Sequence, residues 1–133
     1  MEKIIIASGP VIVEDDKVLL NQHGDTEFWK FCGGKVEDFS ATLIDNARRE
    51  VKEEMGLDIK ILDENPYFYY TTKEVDGETI DVILVHFLAE RLGEIQPGED
   101  IRQWAWIPLD KLDQEPLAPN IKPALKHFGF LQE

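Results

Sequence analysis

The most constraining feature of the sequence is an amphipathic helix pattern that carries three neighbouring glutamates. It lies in residues 33–57, a stretch that opens with a glycine pair and ends near Gly56, a residue suited to the left-handed conformation at a helix C-terminus. One stripe of the helix can face a core because its apolar side chains recur every four residues, at Leu43, Ala47, Val51 and Met55. A different stripe carries Glu50, Glu53 and Glu54.

The three glutamates are not explained by the local stability of the helix. Like charges at this spacing cost roughly 0.2 to 0.5 kcal/mol per pair, and their position near the C-terminus also opposes the helix dipole. Converging carboxylates suit hard divalent cations, which take oxygen ligands. The alternative is a solvated charged face, because basic residues alternate with the acids and Arg49 can pair with Glu53. The helix pattern by itself leaves both interpretations open.

A sequence motif around this helix favours the metal-binding interpretation. Residues 49–57 read REVKEEMGL and, with Gly33 and Gly34, resemble the Nudix box, written G-x5-E-x7-R-E-U-x-E-E-x-G-U with U an aliphatic residue. The second half matches at every specified position. In the first half the family glutamate falls at Ser40, the gap to the arginine is one residue longer, and Glu37 is a candidate substitute.

Segments on both sides of the box extend the resemblance over most of the chain. Residues 29–34, WKFCGG, are similar to the family's W-x-L-P-G-G segment, with Cys32 in place of proline. Residues 106–112, WIPLDKL, are similar to its W-V-P-L-D-E-L segment, which follows an acidic residue, here Asp100 or alternatively Glu99. The resemblance implies an α/β fold of the Nudix type, an α/β/α sandwich with a mixed β-sheet, in one domain spanning residues 1–133.

The resemblance also implies an activity and assigns roles to residues. The activity is hydrolysis of a nucleoside diphosphate linked to another group, with Mg²⁺ or Mn²⁺ as cofactor. The implied metal ligands are oxygen donors from the box and from a later loop, namely the Gly33 carbonyl, Glu50, Glu53, Glu54 and Asp100. The implied catalytic set is Glu50, Glu53 and Arg49, in which Arg49 orients the carboxylates and the sequence does not distinguish which glutamate is the base.

Substrate contacts are predicted at Gly34, Lys35 and Asn120. Residues 117–125, LAPNIKPAL, resemble the proline-asparagine turn of MutT-like nucleoside triphosphate pyrophosphatases, in which the asparagine reads an oxidised guanine. An amide suits this role because it offers both a donor and an acceptor. The local pattern instead favours Asn120 as the N-cap of a terminal helix, with Pro123 in its first turn.

Several substrates are compatible with the motif. The first hypothesis is a nucleoside triphosphate, such as the oxidised purine nucleotide 8-oxo-dGTP, cleaved to monophosphate and pyrophosphate. ADP-ribose, dinucleoside polyphosphates and nucleotide sugars are the rivals within the family. A Nudix-fold module that binds a nucleotide or a protein partner without hydrolysing it is the alternative of another class.

Charge and composition limit the possible partners. A net charge of -13 over 133 residues argues against a protein that coats nucleic acid, since phosphate backbones are bound by excess Lys and Arg. It is compatible with a small phosphorylated substrate, because bound cations can reverse the local sign. No apolar run reaches membrane length and the first residues do not form a signal peptide, so no membrane association and a cytoplasmic location are expected. The chain is compatible with a monomer or a homodimer.

The remaining pattern predicts a largely β-structured chain around this helix. Asp76-Gly77 indicates a hairpin turn, and residues 22–28 indicate a loop in which His23 contacts either substrate phosphates or solvent. Cys32, His86 and two of the aromatic side chains in residues 67–70 are predicted to be buried. Strands are predicted at residues 3–13, with an interruption at 8–10, and at residues 17–21, 58–62, 66–73, 79–89 and 101–107.

Overall fold

The computed structural model describes residues 3–24 and 26–132. Two turns of 3-10 helix, Leu109–Gln114, precede the terminal helix. The elements in chain order are β1 (Ile4–Glu14), β2 (Lys17–His23), β3 (Gly34–Lys35), α1 (Leu43–Met55), β4 (Asp58–Ile61), β5 (Tyr67–Val75), β6 (Glu78–Leu92), β7 (Ile101–Pro108) and α2 (Ile121–His127).

Two tight turns set the hairpins of the sheet. The β5–β6 turn has positive φ at Asp76 and Gly77, which confirms the predicted hairpin, and the β1–β2 turn has positive φ at Asp15 and Asp16. Such turns match the right-handed twist of the flanking strands.

Several strand boundaries differ from the predictions. β1 is not interrupted at residues 8–10, because its parallel ladder with β6 continues through them. β2, β5 and β6 extend beyond their predicted ends, to His23, Val75 and Leu92.

The sheet is mixed, and β1 is its central strand, between β6 and β2. The strand order of the sheet is β4-β6-β1-β2-β7, with β5 also paired to β6 and β3 paired to β1. The β1–β6 pair is parallel and the other pairs are antiparallel. β1 pairs with β2 only next to their turn, at Val13↔Val18 and Glu14↔Lys17. Beyond these pairs the two strands separate.

Residues 30–35, which contain Gly33 and Gly34 and are called the glycine loop below, lie in this gap between β1 and β2. Lys30 forms a bridge with Asn21 on β2, with backbone N–H···O distances of 2.9 Å in both directions. A few residues later β3 pairs with β1, as Gly34↔Ser8. The backbone groups that the separated strands leave free are therefore used to hold this loop.

Helices cover both faces of the sheet. Neighbouring residues on one strand face opposite sides: Val11 belongs to the core under α2, and Ile12 belongs to the core under α1. The predicted apolar stripe of α1 is confirmed, since Ala47, Val51 and Met55 are fully buried. The fold is the predicted α/β/α sandwich with a mixed sheet, and it places the C-terminal half of α1 beside the glycine loop.

Candidate active site

Close packing against β1 fixes the position of the glycine loop. Gly33 has φ of +135°, and a Cβ there would lie 2.5 Å from the Ser8 carbonyl oxygen. From the other side, a Cβ on Gly9 would lie 2.0 Å from the Cys32 carbonyl oxygen. Two glycines thus allow the backbones to touch, and any larger residue at either position would push the loop away from the sheet.

Glu54 is the carboxylate that the fold holds most firmly. Its side chain is 7% exposed. Oε1 accepts hydrogen bonds from the Gly33 N–H, at 3.1 Å, and from Asn21 Nδ2, at 2.6 Å. Oε2 lies 3.0 Å from His23 Nε2, and this hydrogen bond raises the pKa of His23 against the opposing effect of burial. Glu54 therefore ties α1, β2 and the glycine loop together at one point.

Glu50 lies on the other side of the loop. Its Oε2 would be 2.3 Å from a Cβ at position 34, so the carboxylate occupies the space that Gly34 leaves open. Burial raises the pKa of Glu50, and the Arg49 guanidinium, whose Nη2 lies 3.0 Å from Oε1, opposes this rise. Glu50 and Glu54 therefore flank the two glycines.

Glu53 does not converge with the other two glutamates. Its side chain is 61% exposed, and its Oε1 lies 3.3 Å from Arg49 Nη1. Arg49 thereby contacts both Glu50 and Glu53. Within residues 3–24 and 26–132, no group of three or more His, Cys, Asp or Glu side chains is arranged to hold a metal ion. The donor chemistry nevertheless fits a hard cation, because carboxylates flank a glycine backbone on two sides.

Asp100 lies near this cluster, beyond His23. It is exposed and borders a shallow pocket together with His23, Gly24, Glu99 and Arg102. Its charge is one of those that raise the pKa of His23, after the larger effect of the Glu54 hydrogen bond. The loop before β7 therefore reaches His23, the residue that contacts Glu54, and the role of Asp100 as a metal ligand stays a prediction.

One cavity of 710 Å³ runs from the glycine loop to the start of α2. Its lining includes Gly33, Gly34 and Lys35 of the glycine loop and Asn120 before α2. The walls between them come from β1, β5 and β6 and are partly apolar, with side chains that include Tyr69 and Leu84. Backbone groups, a lysine and apolar side chains thus line the same cavity, which fits a molecule with an anionic part and a flat, less polar part.

Asn120 occupies the predicted N-cap position of α2, but the predicted capping role of its side chain was wrong. Asn120 precedes α2, but its side chain makes no capping hydrogen bond. Instead its Nδ2 lies 2.8 Å from His86 Nε2 on β6, and both residues are buried. Burial lowers the pKa of His86 to about 4, so the imidazole is neutral near pH 7 and accepts the amide hydrogen. A contact between residues far apart in the chain has replaced the local cap.

A family comparison agrees with this geometry. The model of the NUDIX domain family matches residues 5–128. The chain belongs to the Nudix family. No curated protein matches the chain.

Solved structures support the same assignment. The Escherichia coli ORF135 protein is 28% identical with a TM-score of 0.73, over 96% of this chain and 89% of that one. A MutT protein from Bacillus halodurans is 26% identical with a TM-score of 0.70, over 93% and 81%. An ADP-ribose pyrophosphatase from Streptococcus suis is 29% identical with a TM-score of 0.61, over 85% and 78%. The chain is a MutT-like Nudix hydrolase that cleaves a pyrophosphate linkage.

The irregular first half of the Nudix box is accommodated before α1. Ser40 takes no part in the glutamate cluster, since its N–H and Oγ donate to Asp38 Oδ1 at 3.0 and 2.5 Å in an exposed turn. Thr42 Oγ1 then caps α1 by accepting from the Asp45 N–H at 3.0 Å. The turn before α1 therefore accommodates the extra residue of the Nudix box, and Glu50, Glu53 and Glu54 on α1 keep the spacing of the motif.

The Nudix site also contains residues that the sequence did not single out. Asn21 contacts Glu54 from the centre of β2, and its only sequence signal is a polar residue within an apolar strand. Of the two aromatic side chains predicted to be buried on β5, Tyr67 and Tyr69 are only half-buried: Tyr67 packs on the core under α2 and Tyr69 lines the cavity, whereas Phe68 and Tyr70 are exposed. Cys32 is buried, as predicted, and burial raises the pKa of its thiol, which favours packing over a nucleophilic role.

No helix in the described part of the chain is long and apolar enough to cross a membrane.

Proposed function

We propose that this Nudix hydrolase cleaves nucleoside triphosphates, with an oxidised purine nucleotide such as 8-oxo-dGTP as the leading candidate, to monophosphate and pyrophosphate. The observation that carries the proposal is the continuous cavity, which joins the glutamate-flanked glycine loop to the buried Asn120–His86 pair. The glycine loop suits the phosphates and the Asn120–His86 pair suits the base.

Mg²⁺, or Mn²⁺, is the proposed cofactor. Glu50, Glu54 and the Gly33 carbonyl would hold it, with Glu53 and Asp100 as further ligands. When bound, such a cation neutralises phosphate oxygens and lowers the pKa of water. Glu53 and Glu50 are both proposed bases for the attacking water, and Arg49 orients these two carboxylates by pairing with each of them.

The charges around the cavity support a phosphorylated substrate. Lys30, Lys35 and Lys73 line the cavity although the chain carries a net charge of -13. Lys35 follows the glycine pair directly and is exposed at the cavity, where it can pair with phosphate oxygens. Cations from the protein and from the metal site would thus surround the same end of the substrate.

Base recognition is proposed for Asn120. Its Nδ2 donates to His86, so the Oδ1 acceptor remains for an N–H donor on the base. An oxidised guanine offers such donors on more than one edge. The similarity to the ADP-ribose pyrophosphatase keeps ADP-ribose as the main rival, because that protein is as close in sequence as the MutT proteins.

A substrate panel tests the proposal. The protein is incubated with Mg²⁺ and, separately, with dGTP, 8-oxo-dGTP, ADP-ribose, a dinucleoside polyphosphate and a nucleotide sugar, and the phosphate products are identified by chromatography. The expected result is a higher kcat/KM for a triphosphate than for the others, with pyrophosphate as the product. Higher kcat/KM for ADP-ribose, or nucleotide binding without turnover of any substrate, would contradict it.

Replacing Gly34 with Ala should reduce turnover by about 10- to 100-fold with little loss of stability. The added Cβ would meet Glu50 Oε2 at 2.3 Å, and the end of a flexible side chain can move away where a backbone atom cannot. Glu50 would then leave its place beside the loop. Gly24→Ala is the matched control, because its Cβ meets no atom within 4 Å. Equal activity of the two variants would show that the position of Glu50 is unimportant.

Asp100→Asn should lower turnover at saturating Mg²⁺ by about ten-fold, as expected for a positioned ligand or base. Glu99→Gln serves as the control, since Glu99 borders the same pocket and is the alternative candidate. A rate that falls for Glu99→Gln and not for Asp100→Asn would exchange the two assignments.

A further inference from the structure

Asn21 is a buried amide whose surroundings offer it little besides Glu54. Its side chain is 0% exposed. Nδ2 lies 2.6 Å from Glu54 Oε1, and its other neighbours are sulfur atoms, with Met55 Sδ at 3.5 Å and Cys32 Sγ at 3.6 Å. A carboxylate is a far stronger acceptor than a thioether or a thiol, so the contact with Glu54 determines the orientation of the amide.

The other end of this amide has no partner. Asn21 Oδ1 is buried and forms no hydrogen bond within the described residues. The amide cannot reverse its orientation to relieve this, because Oδ1 would then face the Glu54 carboxylate. A buried acceptor without a donor destabilises a fold, and an apolar residue of the same shape would avoid it. An arrangement that lowers stability in this way indicates a role other than stability.

The backbone of Asn21 is fixed from two sides. It pairs with Trp104 on β7 and forms the bridge with Lys30 that holds the start of the glycine loop. The side chain therefore projects from a rigid strand, and Asn21 and the Gly33 N–H together hold Oε1 of Glu54. Among the described residues, His23 is the partner of Oε2, and its side chain is 37% exposed.

We propose that Asn21 is a positioning residue, which holds one carboxylate oxygen of Glu54 so that the other is presented to a divalent cation. The inference rests on the metal-holding role proposed above for Glu54. Outer contacts of this kind typically change metal affinity by about 10- to 100-fold when removed. Asn21 therefore sets the affinity of the site for its cation and does not contact the reacting atoms.

The test measures metal binding directly, in Asn21→Leu and Asn21→Ala. Leucine has the same branching and number of heavy atoms as asparagine, and it removes the unpaired acceptor together with the donor to Glu54. Mn²⁺ affinity is measured from the electron paramagnetic resonance signal of free Mn²⁺, beside circular dichroism and the unfolding midpoint. Met55→Leu is the control, since it changes a neighbour of the same amide and leaves Asn21 and Glu54 in place.

The expected result is a Kd for Mn²⁺ raised about 10- to 100-fold in folded Asn21 variants and unchanged in Met55→Leu. Turnover of the Asn21 variants should recover as Mg²⁺ is increased, with the KM for nucleotide unchanged. A Kd within two-fold of the unmodified protein would overturn the inference, as would failure of both Asn21 variants to fold. If the unmodified protein binds no Mn²⁺, with or without nucleotide, the proposed function itself fails, which is a distinguishable outcome.

Discussion

Replacing Glu54 with Gln should lower turnover at saturating Mg²⁺ on the order of 10³-fold, the largest effect that we expect from any single side chain. Glu54 is the most buried of the three glutamates, and its position is set by the Gly33 N–H and Asn21. The amide has nearly the same shape but no negative charge. It would leave the fold intact and remove the charge that a cation needs.

The measurement is the rate of pyrophosphate release from one nucleoside triphosphate, with circular dichroism as the check on folding. Glu64→Gln is the control, because Glu64 is an exposed carboxylate in the loop between β4 and β5. A Glu54→Gln rate within ten-fold of the unmodified enzyme would remove Glu54 from the site. Glu53→Gln, measured in parallel, should have a smaller effect if Glu53 is a peripheral ligand and a comparable one if it is the base.

The sequence was informative where local pattern and function coincide. The buried stripe of α1, the C-cap at Gly56 and the turn at Asp76-Gly77 follow from residue spacing and backbone preference, and all three are confirmed. The second half of the Nudix box follows from the same helix, because three glutamates on one helix remain neighbours wherever the helix packs. These features depend on interactions between residues close in the chain.

Tertiary contacts decided what the sequence could not predict. Spacing places Glu50, Glu53 and Glu54 close together, but the packing of the glycine loop between β1 and β2 determines that Glu50 and Glu54 flank it and Glu53 does not. Asn21 reaches Glu54 across 33 residues of sequence. No periodicity encodes such a pair, because its existence depends on how β1 and β2 separate.

The wrong prediction at Asn120 has the same origin. Local rules favour an asparagine before a helix as its N-cap. In the structure the amide turns instead to His86, 34 residues away, because a buried imidazole nitrogen also needs a partner. The local rule describes the helix end correctly and the side chain incorrectly. A pair of buried polar residues in a cavity is the kind of site at which local rules fail.

His86 should make the protein measurably less stable in mild acid. Burial lowers its pKa in the folded state to about 4, from an ordinary value of 6.5. Between these two values the unfolded chain binds a proton that the folded chain does not, so the free energy of unfolding falls as the pH falls from 6.5 toward 4. The free energy of unfolding falls by about 3 kcal/mol in total, and about 2 kcal/mol of this fall has occurred by about pH 5.

Comparison of variants isolates this contribution from that of the carboxylates. Urea unfolding at about pH 7.5 and about pH 5 gives the loss of stability for the unmodified protein and for His86→Phe, and the loss should be about 2 kcal/mol smaller in the variant. His127→Gln, which removes an exposed imidazole on α2, is the control. Equal losses in His86→Phe and the unmodified protein would show that His86 is not held neutral by burial.

The same titration links stability to base recognition. A protonated His86 cannot accept the Asn120 Nδ2 hydrogen, so the amide would lose the contact that orients it. Since the folded-state pKa of His86 is about 4, preference among bases should weaken in the unmodified enzyme as the pH falls from about 5 to about 4, while an Asn120→Ala variant, which lacks the amide, should show a weak preference at every pH. The ratio of kcat/KM for two triphosphates measures this, because effects of pH on the shared metal site cancel in the ratio. A ratio that stays constant from about pH 7.5 down to about pH 4 would separate His86 from substrate choice and leave it a residue of the core.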